Sequence, residues 1–174
     1  AYAQATAEEN ADGHPIVTAP TCGSAGVMPA VLRMLQKERN VSRDGLVDGM
    51  LTAAAVGMLA KRNASIAAAD VGCQGEIGVS SAMAAAMIAQ TLDGDPTLVE
   101  NAAALALEHH LGLTCDPVGG YVQIPCISRC AMGAVEAWNA YVMATTGRTL
   151  KAPIGLDLTI RAMNETGRDM NEKY

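Results

Sequence analysis

From Ile77 to Leu92 the chain reads IGVSSAMAAAMIAQTL, a run with no charged side chain. Its apolar residues do not sort onto one stripe, so a helix over 79–92 must be buried on all sides. The run is too short, and too rich in Ser and Ala, for a comfortable membrane span. It therefore reads as a buried helix. Composition agrees: the 174 residues include 32 alanines and 10 methionines, with one tryptophan and no phenylalanine. Alanine is the strongest helix former, and small side chains let helices approach closely. Few bulky groups remain to fill a centre, which leaves room for a cofactor. The length fits one domain or a large piece of one.

Around that run the pattern predicts an all-α fold, a bundle of about six helices with glycine-rich loops forming a site. A small-residue loop, TAPTCGSAG, opens a helix over about 24–39. Ser42 is an N-cap for a helix over about 43–61, where Leu46, Met50, Ala53, Ala54, Gly57 and Met58 recur at three and four residues. Asp95 caps and Pro96 opens the helix that follows 79–92, which runs to about His110. A long helix spans 126–146 and stops at Gly147. KAPIGLD, Lys151 to Asp157, reads as a linker, and a last helix starts near Asp157 and covers 158–171. Ala1 to Pro20 reads as a helix remnant and a loop. No strand pattern of any length appears, and Val122 to Ile124 is too short to count.

The formal charge is −6 and the pI about 4.9, with no Lys/Arg cluster, which argues against nucleic acid as a partner. No signal-peptide pattern stands near the start, and no membrane segment is expected. The chain begins without Met and ends at RDMNEKY without an evident stop. It is therefore expected to be part of a larger protein, with apolar surface that favours a homo-oligomer or another self-contact.

The five cysteines are Cys22, Cys73, Cys115, Cys126 and Cys130, an odd number that argues for free thiols, metal ligands or catalysis rather than a disulfide framework. The plain reading of each is a small buried hydrophobe. Position shifts three of them away from it. Cys73 in VGCQGEIG, Cys115 in TCDPVGG and Cys126 in IPC all fall at helix boundaries among Gly and Pro, where a backbone can approach a bulky group. Cys126 opens the long helix, whose free N–H groups and dipole favour a thiolate. Cys22 also precedes a helix in a glycine loop, whereas Cys130 sits one turn inside its helix. Structural zinc usually shows a short C-x₂₋₄-C or H-x₃₋₅-H pair; here the gaps are 42 and 11 residues, although His109 or His110 could serve as a fourth ligand. Three cysteines on a four-iron cluster would leave one iron open to act as a Lewis acid.

Other groups have both a plain and a chemical reading. Glu76 is a base or a cap. Lys61 is a solvated helix end or a catalytic amine. His109 and His110 complement a helix C-terminus. The Gly23–Gly26 loop, GSAG, could receive a carboxylate or phosphate at a helix N-terminus. No Ser-His-Asp order, GxGxxG fingerprint or P-loop is present.

The segments TAPTCGSAGVMPAVL, KRNASIAAADVGCQGEIGVSSAMAA, EHHLGLTCDPVGGYVQIPCISR and AMNETGRDMNEKY resemble the α chain, or α domain, of the bacterial iron–sulfur-dependent L-serine dehydratases. The resemblance runs from about Ile16 to Tyr174. It implies a cytoplasmic lyase that converts L-serine to pyruvate and ammonia, in amino-acid degradation and gluconeogenesis, with a [4Fe–4S] cluster and no pyridoxal phosphate. It carries the cluster ligands onto Cys73, Cys115 and Cys126. It marks Lys61, Glu76 and His109 as catalytic candidates, and Thr21, Gly23, Ser24, Asn63 and Ser65 as candidates for binding substrate. It also implies a β chain or domain as partner, so that this chain, as a partial α domain over 1–174, would be inactive alone. Two positions depart: family members carry Ala or Asn at position 22 and Asn at position 130, which marks Cys22 and Cys130 as variable. Two alternatives stay open: a related cluster-dependent L-cysteine desulfidase, and a non-catalytic metal-binding subunit domain.

Overall fold

The computed structural model of the chain describes residues 1–116, 118–121, 123–146 and 154–170. In chain order the helices are α1 Tyr2–Ala11, α2 Val27–Glu38, α3 Arg43–Asn63, α4 Ala68–Val71, α5 Val79–Leu92, α6 Pro96–Glu108, α7 Gln123–Thr146 and α8 Leu156–Asp169. Short 3₁₀ turns occupy Cys22–Ser24 and Val118–Gly120, and a five-residue π turn, Gln74–Gly78, leads directly into α5. Among the described residues there is no strand, and no helix is long and apolar enough to cross a membrane.

Helix α5 is the axis of the bundle. Every residue from Val79 to Ala89 is buried, with α2, α3, α6 and α7 packed around it. Burying side chains such as Met87 and Ile88 contributes about 1.5–3 kcal/mol each. Tight approach depends on small residues. A Cβ added at Gly49 of α3 would strike Thr91 and Met87, and one at Gly57 would strike Met83. On another side, Ser81 donates to the Gly133 carbonyl of α7 at 2.8 Å, so a hydroxyl inside an apolar helix is satisfied by its neighbour. The outer face of α3 leaves Val47, Met50, Leu51, Met58 and Leu59 exposed.

The all-α class is as expected, with eight α-helices among the described residues rather than about six. Helix α1 is the helix remnant read within Ala1 to Pro20, and α4 is the helix not foreseen. In α1 only Ala3 and Ala7, four residues apart, are buried, so it shows little periodicity. Helix α4 is a single turn, too short for any period. The last helix begins at Leu156 after an extended Gly155. Asp157 lies inside its first turn, where a carboxylate complements the helix dipole. The stop expected at Gly147 and the first part of the linker, 151–153, lie outside the described residues.

Two expected caps are present: the Ser42 hydroxyl accepts from Gly45 N at 3.2 Å, and Asp95 accepts from Thr97 N at 2.9 Å ahead of Pro96. Ser42→Ala should cost about 1 kcal/mol and lower the melting temperature by about 2–4 °C. An unchanged thermal melt would show that the cap contributes nothing.

Candidate active site

Cys73 stands just before the π turn, on a backbone that must reverse sharply. Gly72 has φ 72°, a conformation glycine adopts without steric cost, and a Cβ there would strike the Leu113 carbonyl. The close approach is used twice: Gln74 N donates to Leu113 O at 3.1 Å, and Gly112 N donates to Gln74 Oε1 at 2.9 Å. Gln74 is fully buried, and its Nε2 also donates to the Met163 carbonyl of α8 at 3.0 Å. This one side chain ties the Cys73 segment to the chain leading into Cys115 and to α8. π turns inserted in helices recur at functional sites.

Cys126 arrives from the third direction. Ile124 is extended (φ −124°, ψ 117°), so the regular part of α7 begins at Pro125 and places Cys126 in the first turn. Arg129, three residues on, donates from Nη1 to the Thr114 carbonyl at 2.8 Å. The result is that Cys73, Cys115 and Cys126 lie close enough for each to shift the ionisation of another, with Arg129 beside Cys73.

The meeting sets their ionisation. The Cys126 hydrogen bond, against the opposing effect of burial, and the nearby Arg129 bring Cys73 down to about 6. Burial and the Cys73 charge push Cys115 up to about 11. Cys126, which donates to Cys73 and is partly buried, is pushed up strongly. The helix N-terminus favours a thiolate at Cys126, while Cys126 and Arg129 favour one at Cys73. Three sulfurs this close cannot all ionise without a compensating positive centre, and Cys73 receives the donors. That donor set fits a group that binds several thiolates at once and supplies the positive charge. Among the described residues, no set of three or more His, Cys, Asp or Glu side chains is arranged to hold a single metal ion.

Glu76 lies beside these thiols; its charge is felt at Cys115, Cys126 and Cys130. Its Oε1 accepts from Thr21 Oγ1 at 2.7 Å. Gly23 lies so close that a Cβ there would sit on the Glu76 carboxyl group. The loop that carries Thr21, Gly23 and Ser24 is held from several sides. Ser24 Oγ donates to Thr21 O at 3.2 Å, Asn10 Nδ2 donates to Cys22 O at 2.9 Å, and the Cys130 thiol donates to Gly23 O at 3.5 Å. Cys130 is buried and so pushed up. Cys22 is exposed, and it shares with Cys126 and Cys130 a cleft of about 150 Å³.

The remaining candidates stand elsewhere or are engaged locally. Lys61 and Asn63 are exposed at the C-terminal end of α3. The Ser65 hydroxyl donates to Asp70 at 2.6 Å and accepts from Ala67 N at 3.1 Å, which makes it the local support of α4; its carbonyl backs Gly75 of the π turn. His109 turns its Nδ1 to Leu105 O at 2.8 Å and lies 3.8 Å from Glu136 of α7. His110 is buried behind Gly78 with Nδ1 on Ala106 O at 2.7 Å, and burial holds its pKa below the usual histidine value. Arg129 and Gln74 are the site residues that sequence reasoning missed. Their signal was only a position next to a cysteine.

The fold and this centre define an all-helical domain built to present three thiols and a carboxyl group at one point. The chain belongs to the serine dehydratase alpha chain family, whose model matches residues 1–174. It is 54% identical over 174 residues to the L-serine dehydratase TdcG of Escherichia coli (strain K12), 53% to an L-serine dehydratase of Streptomyces coelicolor, and 49% over 175 residues to one of Helicobacter pylori. Each match covers 99% of this chain and 38% of the relative.

Proposed function

We propose that residues 1–174 form part of the catalytic α domain of an L-serine ammonia-lyase, a protein that converts L-serine to pyruvate and ammonia with a [4Fe–4S] cluster. The observation that carries this is the convergence of Cys73, Cys115 and Cys126 beside Glu76, in a chain matched along its whole length by the alpha chain family. The chain covers 38% of the relatives named L-serine dehydratase, and in this reading a further, β part completes the activity.

In this reading Cys73, Cys115 and Cys126 hold the cluster as thiolates. When bound, the cluster supplies an iron without a protein ligand as a Lewis acid toward the substrate hydroxyl. The chain's own work falls to Glu76 and its supports. Thr21 fixes Oε1, while Oε2 takes no hydrogen bond among the described residues. Oε2 is thereby the carboxyl oxygen available to accept the Cα proton of serine. Loss of that proton and of the β-hydroxyl as water leaves 2-aminoacrylate, which tautomerises and hydrolyses to pyruvate and ammonia. Neither Lys61 nor His109 has a comparable position among the thiols.

The test supplies the chain with the β part, loads the assembly anaerobically with iron and sulfide, and measures pyruvate from L-serine. Pyruvate is expected, and Glu76→Gln should lower its rate by roughly 10²–10⁴-fold at unchanged iron content. No pyruvate from L-serine, with sulfide released from L-cysteine, would assign the desulfidase reaction instead. Neither product from the loaded assembly would leave a non-catalytic domain.

A further inference from the structure

We propose that Arg129 is the countercharge and clamp of the three-thiol centre, a positioning residue that holds the ligand segments together and sets the reduction potential of the cluster they bind. The inference rests on the iron–sulfur reading above.

Three observations on one side chain carry it. Arg129 is on α7 three residues after Cys126, so both belong to the opening turns of the same helix. Its Nη1 holds the Thr114 carbonyl at 2.8 Å, and Thr114 is bonded directly to Cys115. Its positive charge also lies near enough to Cys73 to lower the pKa of that thiol. A single planar group with five donors thus touches or adjoins all three cysteine segments. These segments are otherwise separate: the first two positions are 42 residues apart and the second and third 11.

Charge points the same way. Arg129 is half-buried, and no carboxylate lies in a salt bridge with it among the described residues. A permanent cation withdrawn from water needs an anion nearby. The anions on offer are the thiolates and the Glu76 carboxylate beside them, whose charge is also felt at Cys115 and Cys126. Three thiolates on a cluster leave the assembly negative, and each electron added makes it more so. A fixed positive charge and hydrogen bonds to sulfur therefore favour the reduced form and raise the potential. Lysine would keep the charge and lose the fork; glutamine would keep a donor and lose the charge.

The experiment compares the wild-type chain with Arg129→Gln and Arg129→Lys, loaded anaerobically with iron and sulfide. It reads iron and sulfide per chain, resistance of the visible absorption to a chelator, and the midpoint potential by redox titration. Arg129→Gln should hold the cluster roughly tenfold less tightly and shift its potential to a more negative value. Arg129→Lys should keep a potential close to wild type with intermediate retention. A glutamine variant that matches the wild type in retention and potential overturns the proposal while the cluster reading stands. A wild-type chain that takes up no iron and sulfide overturns the cluster reading, and the proposal with it. If Arg129→Gln does not fold, Arg129→Lys decides: wild-type retention would show that no clamp exists, and a potential shifted like that of an uncharged site would remove the countercharge role.

Discussion

Serine in place of Cys73, Cys115 or Cys126, one at a time, will abolish iron and sulfide incorporation under anaerobic reconstitution, whereas Cys22→Ser and Cys130→Ser will load like the wild type. The physical reason for the first group is that a cluster corner needs a thiolate. A serine hydroxyl is not deprotonated at neutral pH and is a hard ligand, so loading should fall to roughly a tenth or less. Tolerance in the second group has a separate cause at each position. Cys22 is exposed, and Ser there changes little. Cys130 is buried at 1% exposure with its thiol donating to the Gly23 carbonyl, a bond a serine hydroxyl can also make. Because Cys22 shares a cleft with Cys126 and Cys130, the experiment is a real test. Loss of iron in Cys22→Ser would make it a ligand and overturn the three-cysteine assignment, as would a cluster that survives Cys73→Ser or a centre that retains zinc in place of iron.

The second large effect concerns the tie behind the thiols. Gln74→Leu keeps a side chain of similar volume but removes the donor to Met163 O and the acceptor for Gly112 N. Losing both bonds and leaving the Gly112 amide without its acceptor should cost about 2–4 kcal/mol. For a chain of this length that lowers the melting temperature by about 5–15 °C. The loss should also be local. Gln74 adjoins Cys73, and Gly112 leads to Cys115, so Gln74→Leu should reduce cluster loading even well below its melting temperature. Thermal melts in parallel with iron content would separate the two effects. A melt within a degree or two of wild type would show that the Gln74 bonds contribute little.

Much of this molecule is written in local pattern. The charge-free run at 77–92 marked α5 as a buried helix because a helix apolar all round has no face to give to water. Ser42, Asp95 and Pro96 marked helix starts because capping is a contact between residues two or three apart. The Gly and Pro context distinguished Cys73, Cys115 and Cys126 from Cys130 in the same way. The weaker reading was of elements without periodicity. Helix α1 has only two buried alanines, and α4 is one turn, so neither leaves a repeating signal.

What the tertiary structure alone decided is which groups act on one another across long separations. Thr21 meets Glu76 across 55 residues, Gln74 meets Gly112 across 38, and Arg129 meets Thr114 across 15. No local propensity encodes such pairs, because each depends on how the packed helices bring their ends together. Ionisation follows from the same contacts. The helix N-terminus favours a thiolate at Cys126 along the chain, whereas in the fold Cys126 and Arg129 lower the pKa of Cys73, and the neighbouring Cys73 raises that of Cys126. Residue types and helix ends were determined by sequence. The positions of Lys61, Glu76 and His109, alike as candidates along the chain, separated only when packing set Glu76 against the thiols, turned His109 toward Glu136 and left Lys61 in solvent.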